Sequence, residues 1–172
     1  VKAQLAEPPL AHVTTLTGQS YWVYSVVFAP NGTYLACGSS TGDPDYNGEI
    51  KIWDISIWQC NQTLIEHSGF VESVVFSPSG NYLASGSYDG TIKIWNTSTW
   101  QCEQTLIGHS EGVRSVSFSP SGNYLASASF DHTIKIWNTS TWQCEQTLTG
   151  HTSWVLAVAF SPSGNYLASG SY

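Results

Sequence analysis

The feature that most constrains this 172-residue sequence is its periodicity. Trp53, Trp95 and Trp137 stand 42 residues apart, and so do Cys60, Cys102 and Cys144, and His67, His109 and His151. Laid side by side, residues 72–113 and 114–155 differ at nine of 42 positions. One earlier unit diverges more: Pro30 to Pro78 is a step of 48, because TGDPDYNG adds six residues between Gly38 and Trp53. A strict period in this range makes the chain one array of like units and excludes a set of unrelated domains.

Within a unit the residues read as short strands. VESVVF and VRSVSF are rich in Val and Phe and end at SPSGN, whose Ser, Pro, Gly and Asn favour a turn. YLASGS and YLASAS follow as second strands, and Asp89-Gly90 is a tight hairpin signal with Asn47-Gly48 at the corresponding place in the first unit. TIKIW is a third strand, NTST a turn, and QCEQTLI a more polar fourth strand suited to an outer edge. No helical periodicity competes with these evenly spaced runs. Four strands in about 42 residues are the signature of a β-propeller blade, whose inner strands are apolar almost throughout because both faces are covered. The expected fold class is all-β: blades of four antiparallel strands, three of them complete, plus two strands of a fourth.

The Gly108-His109 and Gly150-His151 dipeptides, the LASGSYDGTIKIW core, and a Trp followed by Asp54, Asn96 or Asn138 resemble WD40 repeats. The resemblance covers residues 11–172 and divides them into blade one (20–66), blade two (70–108), blade three (112–150) and a partial blade four (154–172), with residues 1–10 as a tail. WD40 rings usually close with about seven blades, and the N-terminus often donates the last blade's outer strand, a role that residues 11–17 suit by resemblance. After SGSY at 169–172 the period leads on to a third strand. Three readings stay open, in this order: a piece of a longer protein, pairing with a second copy to close an eight-bladed ring, or closure alone with four blades.

By the same resemblance, His67, Ser85, Asp89 and Trp95 in blade two, and His109, Ser127, Asp131 and Trp137 in blade three, form buried hydrogen-bond chains. Ser, His and Asp also suggest a hydrolase, but that chemistry needs one nucleophile, one base and an oxyanion hole facing a substrate pocket. A set copied blade by blade argues for architecture, since buried polar groups need partners. No catalytic residue, metal site or cofactor is expected. His67, His109 and His151, one per blade, are too widely spaced for zinc bonds of roughly 2 Å to converge. His132 reads as a turn residue, Gly90 taking its place in the other copy. Blade one departs from the pattern, with Gln19, Cys37, Asn47 and Trp53 at the four positions; its insertion, carrying Asp43, Asp45 and Tyr46, reads as tolerated slack ahead of a binding loop.

Composition narrows the partners. A net charge of −7 with five Lys and Arg disfavours nucleic acid and anionic membrane surfaces, and no run of 18 apolar residues exists to cross a bilayer. Residues 1–12 hold no apolar stretch of signal-peptide length, while the missing initiator Met leaves an upstream segment open. The cysteines show no CxxC spacing and read as buried, reduced thiols, pointing to an intracellular, cytoplasmic setting. Sequons at Asn31, Asn61, Asn96 and Asn138 stand against that, two arising from the repeated NTS.

Function is expected on one face. Six of the nine differences between the near-duplicate units fall in or beside the connections from fourth to first and from second to third strands, whereas SPSGN and NTSTW are identical. The first set shares the face called the top in WD40 proteins, and there large side chains gather: Trp22, Tyr24, Tyr46, Phe70, Tyr88, Phe130, Trp154 and Tyr172, with Glu72, Arg114 and Leu156 among them. Aromatics and Arg are the usual energetic centres of protein interfaces. The expected function is a protein-interaction scaffold binding other proteins or peptides through that face; the alternative is an extracellular ligand- or glycan-binding propeller. Glu72 and Arg114 are also placed to form an exposed pair worth at most about 1 kcal/mol. Trp58, Trp100 and Trp142, on the opposite face, are expected each to cap its own blade's edge.

Overall fold

The computed structural model describes residues 15–19, 21–42, 45 and 47–172. Among them all regular structure is strand. Sheet one holds β1 (Ser25–Phe28), β2 (Tyr34–Ser40), β3 (Gly48–Asp54) and β4 (Gln59–His67). Sheet two holds β5 (Val71–Phe76), β6 (Tyr82–Ser87), β7 (Ile92–Asn96) and β8 (Cys102–Leu106). Sheet three holds β9 (Val113–Phe118), β10 (Tyr124–Ser129), β11 (Ile134–Asn138) and β12 (Cys144–Leu148), and a two-stranded sheet holds β13 (Val155–Phe160) and β14 (Leu167–Ser171). Each is an antiparallel meander in chain order. Consecutive first strands are neighbours, β1 beside β5, β5 beside β9 and β9 beside β13, so the sheets fan out from a shared inner rim. The strand expected over residues 11–17 lies mostly outside the described residues, and residues 15–17 are not in a strand.

The core lies between the sheets and not within any one of them. One cluster joins Ala36, Ile50 and Ile52 of sheet one to Val71, Val74, Phe76 and Leu83 of sheet two. The next joins Ala84, Ile92 and Ile94 to Val113, Val116 and Leu125, and a third joins Ala126, Ala128 and Ile134 to Val155 and Val158. The second strands of sheets two and three are therefore covered on both sides, β6 and β10 being buried after their first residue. β12, the outermost strand of sheet three, is exposed along its length.

Two contacts recur at the boundaries. The first strand of each sheet inserts a valine against the second strand of the sheet before it, where a small residue makes room. A Cβ on Gly38 would come within 2.8 Å of Val71 Cγ1, and one on Gly86 within 2.7 Å of Val113 Cγ1. In sheet three Ala128 stands at this position and packs with Val155. Beside each valine, a first-strand serine hydroxyl accepts the next sheet's backbone N–H: Val74 to Ser25 (3.1 Å), Val116 to Ser73 (3.2 Å) and Val158 to Ser115 (3.3 Å). Burying one such valine contributes about 1.5–3 kcal/mol, so these boundaries carry much of the stability.

The cysteines correct the sequence reading. Cys60 and Cys144 are exposed and Cys102 is half-buried; only Cys37 is buried, and all four are free. The three that recur sit on fourth strands, whose outer edge has no further strand to cover it.

The valine contact sets a graded expectation. Gly86→Ala costs less than about 1 kcal/mol, since Ala128 shows that a methyl is taken up, whereas Gly86→Val overpacks the boundary and costs about 1–3 kcal/mol. Gly170→Val, where a Cβ meets only Ala157 Cβ at 4.0 Å, stays within about 0.5 kcal/mol. Urea titration of the three variants checks the order.

Candidate interaction surface

Because every sheet is a meander, its connections sort onto two faces. The β2–β3, β6–β7 and β10–β11 hairpins and the β4–β5, β8–β9 and β12–β13 crossings share one face, called here the top. Beneath it, between the strands, lie the polar chains of blades two and three. His67 Nε2 meets Ser85 Oγ at 2.8 Å and its Nδ1 meets Asp89 Oδ2 at 2.8 Å; the Trp95 indole N–H donates to the same Ser85 Oγ at 2.9 Å. His109, Ser127, Asp131 and Trp137 repeat this at 2.7, 2.8 and 2.9 Å. Every polar atom is accounted for if Nδ1–H donates to Asp and Nε2 accepts from the Ser hydroxyl, which makes the ring neutral. Burial agrees, holding His109 below its ordinary value despite Asp131.

Serine, imidazole and carboxylate in this order have the geometry of a hydrolytic triad. Ser85 and Ser127 are fully buried, however, and each oxygen already serves an indole. A nucleophile must reach a substrate, and these face packed side chains. Among the described residues no group of three His, Cys, Asp or Glu is placed to hold a metal ion.

Sequence reasoning overlooked further members. Thr91 Oγ1 donates to Asp89 Oδ1 at 2.6 Å, and Thr133 does the same for Asp131 at 2.6 Å. Ser87 Oγ donates to the Gly69 carbonyl at 2.8 Å and accepts the Asp89 N–H at 3.1 Å, tying the hairpin to the preceding crossing. Identity of these residues in both copies was the available signal. Burial raises the Asp89 and Asp131 carboxyls, but the His and Thr donors more than reverse it and leave both below the usual carboxylate range. His132 adopts φ 68°, matching the 83° of Gly90 at the same hairpin position.

Blade one builds a different arrangement. The Trp53 indole nitrogen is buried without a hydrogen-bond partner, and Cys37 stands where the other blades have serine. Burial pushes the Cys37 thiol up to about 11, with the nearby Trp53 indole opposing. The polar contacts move two residues along each strand: Ser39 Oγ lies 3.3 Å from Gln19 Oε1 and 3.4 Å from Glu49 Oε1, and Glu49 pairs with Lys51 at 3.2 Å. Tyr46 and Asp43 lie outside the described residues, and Asp45 is exposed in a turn.

On the top face the rings form a continuous run. Tyr24 contacts Phe70 (centroids 5.6 Å), Phe70 contacts Tyr88 (6.0 Å), Tyr88 contacts Phe130 (5.9 Å), Phe130 contacts Trp154 (5.2 Å) and Trp154 contacts Tyr172 (6.1 Å). This arc crosses all three sheet boundaries. Tyr88, Trp154 and Tyr172 are 57%, 48% and 81% exposed. Trp22 stands exposed against Tyr21 at 5.0 Å, and Leu156 is half-buried beside Trp154 in sequence. Arg114 and Glu72 do pair, at 3.3 Å, but Glu72 is buried. Burial pushes its carboxyl up, and Arg114 only partly offsets this.

The opposite face explains why its connections are identical. Thr97 Oγ1 and Thr139 Oγ1 donate to the Gly80 and Gly122 carbonyls at 2.7 Å, stitching NTST to SPSGN within each blade. Asn96 and Asn138, both sequon positions, use their amide nitrogens on Glu103 and Glu145 and their oxygens on Ser98 and Ser140. Trp58, Trp100 and Trp142 have φ between 53° and 56°, a left-handed conformation that costs a side chain roughly 1 kcal/mol. Packing offsets it: Trp100 sits edge-on to Tyr34 at 5.4 Å and Trp142 to Tyr82 at 5.7 Å. Trp100 and Trp142 thus reach the preceding blade, so for these two the expected cap on their own edge is corrected to a clasp between blades. Internal bonding accounts for the unvarying connections here, and the contrast between faces alone therefore says little about a partner. The aromatic arc says more.

The family model described as WD domain, G-beta repeat matches residues 10–54, 58–96, 100–138 and 142–172. No curated protein matches the chain.

Two outcomes follow for the buried chains. Ser127→Ala strands the Trp137 N–H and the His109 nitrogen and costs about 1–3 kcal/mol, read as a lower urea midpoint. Acidification also destabilises. The folded state holds His109, Asp89 and Asp131 below their unfolded values, so it binds fewer protons, and stability falls as pH drops below about 6.5 and again below about 3.9. Denaturation midpoints at descending pH should show this, with a shallower acid limb in Asp131→Asn.

Proposed function

Since this chain belongs to the WD40 repeat family, we propose that it is a non-enzymatic scaffold that holds a protein or peptide on its top face. WD40 repeats generally mediate protein–protein interaction. The observation that supports this particular surface is the arc of six rings from Tyr24 to Tyr172, since soluble proteins rarely leave a contiguous run of large side chains open without a use. Trp22, Tyr24, Phe70, Tyr88, Phe130 and Trp154 supply contact area, with Leu156 at its margin. Glu72 and Arg114 lock to each other and hold two blades in register beneath the partner.

No metal, cofactor or chemistry enters this reading. Its setting is the cytoplasm, which suits the exposed thiols of Cys60 and Cys144.

Selection of binders from a random peptide library tests the surface. Tyr88→Ala and Trp154→Ala are each expected to weaken selected binders by about tenfold or more, as interface centres do. Tyr166→Ala, exposed on the opposite side of β14, leaves them unchanged. The reverse pattern would transfer the binding site to the other face.

A further inference from the structure

Taking the top face as the docking surface, we infer that its arc is a track for an extended segment carrying arginine or lysine side chains, whose cationic heads lie against the ring faces between Tyr88 and Tyr172. Three observations converge on that chemistry. First, neighbouring rings from Phe70 onward are inclined at 51° to 65°, so none is stacked flat on the next, and Tyr88, Trp154 and Tyr172 stay exposed. Aromatic faces carry negative quadrupole charge and attract cations, guanidinium above all.

Second, the protein offers few cations of its own. Net charge is −7, and each of the four described Lys and Arg is engaged. Lys51 pairs with Glu49 (3.2 Å), Lys93 with Glu66 (3.7 Å) and Arg114 with Glu72 (3.3 Å), while Lys135 donates to Thr147 (2.9 Å). Glu111 is exposed at the middle of the arc. Its carbonyl accepts from Ser129 Oγ at 3.0 Å, and the same oxygen lies 3.4 Å from where a Gly90 Cβ would be. It therefore sits between the Tyr88 and Phe130 hairpins, where its carboxylate can serve a bound cation. The next residue, Gly112, is buried between the two hairpins: a Cβ there would meet Phe130 Cδ2 at 3.0 Å and Tyr88 Cα at 3.1 Å. Trp22, Phe70 and Trp154 hold this position in the other units.

Third, the spacing suits an extended chain. Centroids along the arc are 5.2 to 6.1 Å apart, close to the roughly 6.6 Å between alternate residues of a strand. Side chains from one side of a partner strand would meet successive rings.

Fluorescence anisotropy of a labelled peptide of alternating Arg and Gly, titrated with the whole chain at low and high salt, decides the matter. Binding is expected, weakened about tenfold or more in the double variant Tyr88→Leu/Trp154→Leu, which keeps every charge. Glu111→Gln should weaken it by about threefold, Tyr88→Phe should retain it, and peptides with Glu or Pro replacing Arg should bind far more weakly. Both leucine sites are exposed, and an unchanged strand circular-dichroism spectrum confirms the fold. Undiminished binding by the leucine variant would reduce the attraction to net charge and overturn the inference, as would no binding to the parent chain. A Pro peptide that binds as well as the Arg peptide, yet is lost in the leucine variant, would also overturn the cationic chemistry while leaving the top face as the docking surface.

Discussion

Coverage of one sheet by the next is the contact on which this molecule depends. Val71, Val113 and Val155 each press into the second strand of the sheet before them, and the space they need is made by Gly38, Gly86 and Ala128. The period follows from this. A unit whose apolar residues face its neighbours must present the same small residue and the same valine at the same places, or the next unit does not fit. Exposed side chains such as Val26 on β1, in the first sheet, and the row along β12, the outer edge of sheet three, lie where no neighbouring sheet gives that cover.

Burying sheets on both sides brings a second requirement, that polar atoms inside find partners. The His, Ser, Asp and Trp of blades two and three meet it together with Thr91 and Thr133, and they do so in a triad geometry that burial renders inert. Location is what separates cement from catalyst here. Blade one, lacking the histidine and the aspartate, shows the cost of departure: the Trp53 nitrogen is left without a partner, and Gln19, Ser39, Glu49 and Lys51 bond to one another further along the strands.

The two faces divide the remaining work. On one, threonines, asparagines and left-handed tryptophans consume the available bonds within and between blades, leaving little to offer a partner. On the other, inclined rings from four units touch across every boundary while much of their surface stays open. An arc of this kind cannot belong to a single repeat, because each of its inter-blade contacts needs two sheets already docked.

Most of the fold was legible in the residues. The repeat length, the SPSGN and Asp-Gly turns and the alternation of apolar and polar strands are local properties, set by backbone preference and by what must be buried, and they specified strand order; the polar chains of blades two and three were implied by the resemblance to WD40 repeats. Three matters were not legible. That the recurring cysteines lie open depends on which side of a fourth strand remains uncovered, and that Trp100 and Trp142 clasp the blade before them depends on a turn geometry no propensity forecasts. The continuity of the six rings depends on the angle between sheets. Local chemistry names the strands and the residues that must be paired inside them; only docking of sheet on sheet decides which large side chains end up side by side in the open, because that is a relation between residues 18 to 46 positions apart, which a strand pattern does not encode.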